Sequence, residues 1–443
     1  MADGIRQTGR SIWTRVADAA ARRLAAEQPP RPTVPEQPPE AVLDFLRRLG
    51  VAMCRAGDPV DRVTLILEDV ARSYDAHGVS FFVLPTGVFV RIGTGDSSRV
   101  DFAPGSNTPL RLDQVDELYR LIDEIRHAKL TVSEASSRLD ALLAAPPRVP
   151  GWLRVVGSGV LTVGLGLMLN PAATALPVYL GLGLLVGVLH LWSERTYVVS
   201  LIYPVLAAFA VTWAAFTLAQ PVLDAWPLDI VIPSLVTLLP GAALTMATIE
   251  LAAGSVISGS TRLVYGLERL LLLTFGIAMG IEVAGLPDVH DRSSTLGAWA
   301  PWVGVLVFGV GHYLDSSLRW RSFLWVLLVL YVAYVVQAAS ALVLGPLGAS
   351  FLAGAVVLPA SYAVQQRRSG PPVPVTFLPA FWMLVPGALG LQGVTEIVGT
   401  DSAAGLGDFL NALMTIVAIA VGVLVGAGIS ERVGRATSTW RGL

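Results

Sequence analysis

The chain is poor in charge. Only 14% of its 443 residues are Asp, Glu, Lys or Arg, where a soluble globular chain carries roughly a quarter. Lysine is nearly missing, with Lys129 standing beside thirty arginines, a bias we read as a GC-rich genome rather than as function. Cysteine is reduced to Cys54. That excludes an intramolecular disulfide and any cysteine-based metal cluster. The net charge of −2 argues against a nucleic-acid partner. A phosphate loop is missing, so ATP is not the expected energy source. His77, His127 and Asp75 have no recognisable catalytic spacing, and no nucleophile–base pair stands in a known context. Neither an enzyme nor a cofactor or metal site is expected. Residues 1–28 are Arg-rich and contain no apolar h-region of a signal peptide.

What the chain does have is apolar sequence. Its residues are 53% hydrophobic, with a mean hydropathy of +0.63. Twenty of the 31 basic residues lie at or before Arg154. A polar N-terminal third therefore leads into a membrane domain. Residues 1–40 read as a disordered or amphipathic tail ending in a Pro-rich linker. Residues 41–148 read as a small cytoplasmic α+β domain. Val42, Phe45, Leu46, Leu49 and Met53 keep to one helical face, and Gly57 ends that helix. Asp58-Pro59 restarts one, with Asp58 as its expected N-cap. Strands are expected over Ser80–Leu84 and Val88–Ile92, with a third at Arg99–Phe102, then helices over Leu112–Ala128 and Val132–Leu143.

Ten apolar segments follow, each near the twenty residues or so that cross hydrocarbon as a helix: 152–169, 172–192, 197–218, 228–253, 262–285, 298–315, 322–344, 346–363, 374–398 and 405–429. Their loops alternate in charge. Arg148, Arg154, Arg195, Arg262, Arg319, Arg321, Arg367, Arg368, Arg432 and Arg435 fall on one side. Asp224, Asp229, Asp288, Asp291 and Asp401 fall on the other, with Arg292 as its lone basic residue. Positive charge marks the cytoplasmic face, so both termini, including the tail 432–443, are expected in the cytoplasm of a plasma-membrane protein.

Leu239-Pro240-Gly241-Ala242 recurs as Val385-Pro386-Gly387-Ala388, 146 residues further on. The same offset carries segments one to five onto six to ten. Five is odd, so the second unit (291–431) enters from the opposite face to the first (149–290). The expected fold is a helical membrane protein of ten transmembrane helices in a 5+5 inverted repeat, the usual frame of alternating access.

Proline removes a backbone donor and glycine tolerates unusual dihedrals. The freed groups must face protein or a watery cavity, not lipid. A half-helix N-terminus suits a carboxylate and freed carbonyls suit an ammonium. An amino acid has both groups. One Pro-Gly would read as a packing kink; two at matched depth favour a binding site. Thr237, Pro240, Gly241, Thr245, Pro386, Gly387 and Gln392 are the candidate substrate-binding residues, with Thr248 and Thr395 nearby. Each hydroxyl or amide taken singly is more often an interhelical bond.

Glu250 and Glu396 follow the two prolines by ten residues, about 15 Å along a helix. They are candidates for gating or proton coupling, one per side, with Asp408 and Asn411 as weaker partners of Glu396. The alternative places both carboxylates in interfacial water. Asp315, His312, Glu268 and Glu282 also lie within or at the ends of segments. Gly157, Gly159, Gly164, Gly166, Gly422, Gly426 and Gly428 read as helix-packing positions.

These residues resemble the threonine/serine exporter family over about residues 41–430. The resemblance rests on Leu49-Gly50 through Ala56-Gly57, Val63, the Val83–Ile92 hairpin, and Leu239-Pro240-Gly241 followed by Glu250 and Ser258-Gly259-Ser260-Thr261-Arg262-Leu263. Val385-Pro386-Gly387 is similar to the counterpart in the second half. In that family the acidic residue is often aspartate; here it is Glu250. In some relatives the two halves are separate polypeptides. The resemblance implies export of small hydroxy amino acids against protons across the lipid bilayer; split relatives imply dicarboxylates instead. A membrane-anchored sensor is the alternative from another class. The sequence leaves homo-oligomerisation open.

Overall fold

A computed structural model describes residues 38–93, 98–105, 108–127, 129–219, 227–285, 296–367, 369–384 and 402–436, with the side chains of 218–219, 227–229, 402–409 and 431–436 excepted. It is mostly helical, with one small sheet near its N-terminal end.

The polar third begins with α1 (Pro39–Arg55), whose face of Phe45, Leu46, Leu49 and Met53 is fully buried. Gly57, at φ +87°, turns the chain into α2 (Val60–Ser73). Three antiparallel strands follow in the order β1 (Val79–Leu84), β2 (Gly87–Ile92), β3 (Arg99–Pro104). The first pair closes at Leu84–Gly87, so Pro85 and Thr86 make the turn. Val88 and Val90 face the helices and are buried, whereas Phe82, Phe89 and Phe102 stack on the opposite face. α3 (Leu112–Arg126) and α4 (Val132–Ala144) complete the layer. Thr131 and Glu134 cap α4 reciprocally, the Thr131 hydroxyl accepting from the Glu134 amide at 3.3 Å, as a capping box should.

Asp58 is not the N-cap of α2. Pro59 takes that position without a side-chain cap. The Asp58 carboxylate is instead taken by the Tyr119 hydroxyl, which donates to it at 2.5 Å. The N-terminal amide of Val60 donates at 3.2 Å to Glu250, far along the chain.

The apolar part runs α5 (Gly151–Leu169), α6 (Leu176–Arg195), α7 (Tyr197–Ala214), α8 (Pro227–Leu235), α9 (Gly241–Ala252), α10 (Val256–Ala284), α11 (Ala300–Asp315), α12 (Trp320–Gln365), α13 (Val373–Met383) and α14 (Ser402–Ala436). Among the described residues six helices are long and apolar enough to cross a membrane, and seven if the bent pair of α8 and α9 is one span. α12 is 46 residues long, about 69 Å as a straight helix, more than twice the roughly 30 Å of a bilayer core. It is not straight. Gly345 adopts φ 71°, ψ −177° inside it, directly before Pro346.

Glycines set the helix spacing. α5 and α11 approach until Gly164 and Gly304 face each other, and a methyl on either would stand 2.9 Å from the other's carbonyl oxygen. A methyl on Gly276 of α10 would meet the Val205 oxygen of α7 at 2.5 Å, and one on Gly280 the Phe209 oxygen at 3.1 Å. In α14 and α12 the same pairs recur. Gly422 stands over the Phe351 oxygen, and Gly426 over the Ala355 oxygen at 2.6 Å. All four of these residues on α12 and α14 lie 146 positions beyond their counterparts. Gly159 and Gly166 meet α6 side chains, while Gly428 faces open space.

Candidate functional site

The Pro-Gly motif of the first half breaks its helix. α8 passes into a single 3₁₀ turn, Val236–Leu238. Leu239 is extended at φ −67°, ψ 135°, and Pro240 stands at φ −80°, ψ 26° as the N-cap of α9. The chain bends by 54° there. The cause is local. A proline inside a helix removes the i→i−4 bond and crowds the preceding turn, and the residue before it is pushed to extended dihedrals. The result is a half-helix N-terminus at Gly241, buried together with Pro240.

Thr245 is the fifth residue of α9. It is fully buried, and its hydroxyl makes no hydrogen bond. Most buried hydroxyls are satisfied; Tyr74, Thr212 and Ser317 share this state, and Thr245 is the one on the half-helix that follows the break. Thr248 is satisfied by the Leu244 carbonyl at 3.0 Å. Thr237 is exposed. Pro386, Gly387, Gln392, Thr395 and Glu396 lie outside the described residues. Asp408 falls within α14 but its side chain lies outside them too. His312 is brought to no part of the break; it is buried between Phe308 and Trp382, with ring centroids at 5.9 and 5.4 Å.

Glu250 ends neither in water nor in an open channel. It is fully buried at the C-terminal end of α9. Arg262 of α10 donates to it through Nε at 3.1 Å, and the Val60 amide takes its other oxygen. The same guanidinium donates to the Asp58 carbonyl at 3.1 Å. Ser255 donates to Asp61 at 2.6 Å. Arg319, before α12, donates to Asp116 at 2.9 Å and to Glu117 at 2.6 Å. The α+β layer is thus tied to the apolar helices by charged groups from three of their loops or ends. Sequence reasoning missed this latch because its partners lie about 190 residues or more apart.

Beneath residues 56–65, the turn after α1 and the start of α2, lies a cavity of about 280 Å³. Met246 and Ile249 of α9 form one wall, with Leu358 and Tyr362 of α12. Val373, Pro374 and Phe377 of α13 and Val423 of α14 form the other. It therefore opens between the half-helix that follows the first break and the helices of the second half. None of the sequence-predicted binding residues that are described, Thr237, Pro240, Gly241 and Thr245, lines it. Asp58, Asp61 and Arg62 form its roof. Burial holds the Asp58 carboxyl above the usual carboxylate range, with Arg62, Tyr119 and Arg262 pulling against it. Burial likewise pushes the Tyr119 hydroxyl well up, and pushes the Cys54 thiol, close behind the roof, up to about 12. No signal in the sequence singled out Asp58 and Arg62 beyond their place at a helix start.

Apolar helices, one pair of them broken, under a docked polar layer define a multi-pass membrane protein. A family model described as "Putative threonine/serine exporter", ThrE, matches residues 44–284. The chain belongs to this family. Among similar proteins are those named pheromone-regulated membrane protein 10. The one from Eremothecium gossypii is 26% identical over 66% of this chain and 40% of its own length. The one from Kluyveromyces lactis is 24% identical over 86% and 42%, and the one from Candida glabrata 23% identical over 86% and 51%. The chain spans about half or less of the length of these relatives. No solved structure matches the chain.

Proposed function

We propose that the chain is a secondary exporter of threonine and serine, driven by the proton-motive force and working by alternating access. The observation that carries this reading is the 54° break at Pro240, with a half-helix N-terminus and the unpartnered Thr245 hydroxyl beside it. Such breaks are where transporters bind substrate. The proposed architecture is ten spans in two oppositely oriented five-helix units, 149–290 and 291–431, with residues 41–148 and both termini in the cytoplasm. Three features support it. The glycine contacts of α7 with α10 recur between α12 and α14 at the repeat offset. Gly345 divides α12 into two lengths, each long enough to cross a bilayer. Arg262 and Arg319, both assigned to the cytoplasmic side by charge, contact the α+β layer.

In this reading Pro240, Gly241 and Thr245, with Thr237 at the rim and Pro386, Gly387 and Gln392 as counterparts, receive the substrate. Glu250 gates the cytoplasmic side, and Glu396 with Asp408 serves the other. A proton that neutralises Glu250 weakens its hold on Arg262 and on Val60, which couples protonation to release of the roof over the cavity. Arg262 is already neutralised by Glu250, which disfavours a dicarboxylate as cargo.

Counterflow of labelled threonine, serine and succinate in proteoliposomes tests the proposal. Threonine and serine are expected to exchange and to accumulate with an imposed pH gradient. Movement of none of them would remove the exporter reading, and movement of succinate alone would replace the substrate. Glu250→Gln keeps the size of the side chain but not the charge. It is expected to flatten the pH dependence of transport; an unchanged profile would remove Glu250 from proton coupling.

A further inference from the structure

The cavity under residues 56–65 has walls of one chemistry and a roof of another. Met246, Ile249, Phe377 and Val423 make the walls apolar apart from Tyr362, while the charged groups gather above them. Asp58 is only 4% exposed. One of its oxygens accepts from Tyr119, and the other, Oδ2, has no hydrogen bond. Arg62 lies one helical turn on. Its Nε also has no hydrogen bond, and it stands 3.8 Å from Asp58 Oδ1, outside hydrogen-bond reach. The two charges form an ion pair with no hydrogen bond between them, and the Arg62 guanidinium also lies over the Tyr119 ring at 5.4 Å.

Buried charged atoms without hydrogen bonds are costly, and here they belong to two residues that line a space large enough for a small solute. A ligand that satisfies both must carry a cation and an anion close together. In an α-amino acid the ammonium nitrogen and the carboxylate carbon are about 2.5 Å apart, from standard bond lengths and angles. That separation suits an adjacent carboxylate and guanidinium. A dicarboxylate would set one of its charges against Asp58.

We propose that Asp58 and Arg62 form an entry site for zwitterionic α-amino acids, the ammonium on Asp58 Oδ2, the carboxylate on Arg62 and the side chain among Met246, Ile249 and Phe377. It rests on the exporter reading only for its role in loading from the cytoplasm; the binding itself does not depend on transport. This site reads the backbone charges of the amino acid. Met246, Ile249 and Phe377, where the side chain sits, offer a hydroxyl nothing to bond, so threonine and its isostere valine should bind alike here. Selection for the hydroxyl belongs further in, toward Thr245.

The test is equilibrium binding of labelled L-threonine to the full chain in nanodiscs, competed by L-valine, L-threonine amide, N-acetyl-L-threonine and succinate. Wild type is expected to bind valine within a few-fold of threonine, and the amide and the N-acetyl compound roughly tenfold or more weakly, as for loss of a charged hydrogen bond. Arg62→Gln should bring the amide level with threonine, and Asp58→Asn should do so for the N-acetyl compound. Arg62→Lys should restore part of the discrimination. These are ratios, so a partly unfolded variant lowers the signal without changing them. Wild-type ratios kept in both variants, succinate competing as well as threonine, or no threonine binding to the wild type would each overturn the site. Failed counterflow with the ratios shifting as stated would remove the exporter and leave the site. Successful counterflow with the ratios unmoved would do the reverse.

Discussion

Cys54 is the residue whose environment is easiest to interrogate. It is half-buried on α1 and donates through Sγ to the Leu84 carbonyl at 3.6 Å. Burial pushes its thiol up to about 12, so at pH 8 it stays protonated, and only the thiolate reacts. A free thiol near 8.5 is substantially ionised at that pH. Maleimide labelling of the intact protein at pH 8 is therefore expected to run about a thousandfold slower than for a free thiol, and to speed up as pH rises. Mass spectrometry of timed samples measures it; rapid labelling would show that the thiol is not held behind the roof of the cavity. Glu250 illustrates the same scale from the other side. From the sequence it is an acidic residue ten positions after a proline, equally at home in water or in a gate. Its burial, and its hold on an amide of another layer, come from packing between elements that the local sequence does not encode.

At the scale of elements, the helix break was legible because its cause is local. Pro240 and Gly241 cannot continue an α-helix without loss, whatever surrounds them. The strands and the helices of the polar third were legible for the same reason, through alternation and one-sided apolar faces. The cap of α2 was not. Asp58 has the right chemistry at the right place, but Tyr119 takes its carboxylate, and Glu250 supplies the missing acceptor to Val60. The glycine contacts were legible only as small residues; which helices they join is a tertiary matter. Gly422→Val and Gly276→Val place new methyl groups against the Phe351 and Val205 carbonyl oxygens. Each is expected to lower stability by about 1–3 kcal/mol through overpacking, read as a drop in Tm in detergent, whereas Gly428→Val should leave Tm nearly unchanged because that position is open. Equal Tm for all three would mean that these helix pairs do not touch as described.

For the whole molecule, the polar layer is held on the apolar helices by Glu250, Arg262, Ser255 and Arg319. Double replacement, Arg262→Ala with Arg319→Ala, is expected to loosen it. Hydrogen exchange should then rise across residues 56–65 and 113–119 while α1, with its own buried face, stays protected. Exchange that rises everywhere would mean the two parts fold as one cooperative unit; exchange that rises nowhere would mean the ion pairs add nothing to docking. The cavity exists because this layer sits where it does. Its roof comes from α2 and its preceding loop, its walls from both halves of the apolar region.

The exporter family was legible in the sequence as a resemblance of motifs, while composition, spacing and periodicity by themselves determined that this is a helical membrane protein with a small α+β layer and that one half-helix begins at a Pro-Gly. Those features depend on neighbours within a turn or a strand, and on total apolar content. Tertiary structure alone decided that Glu250 is a buried clasp, that Asp58 and Arg62 stand together over a cavity, and that the predicted threonines do not line it. Each of those requires groups distant in sequence to meet in space, and a partner taken from another element overrides the one that local spacing offers.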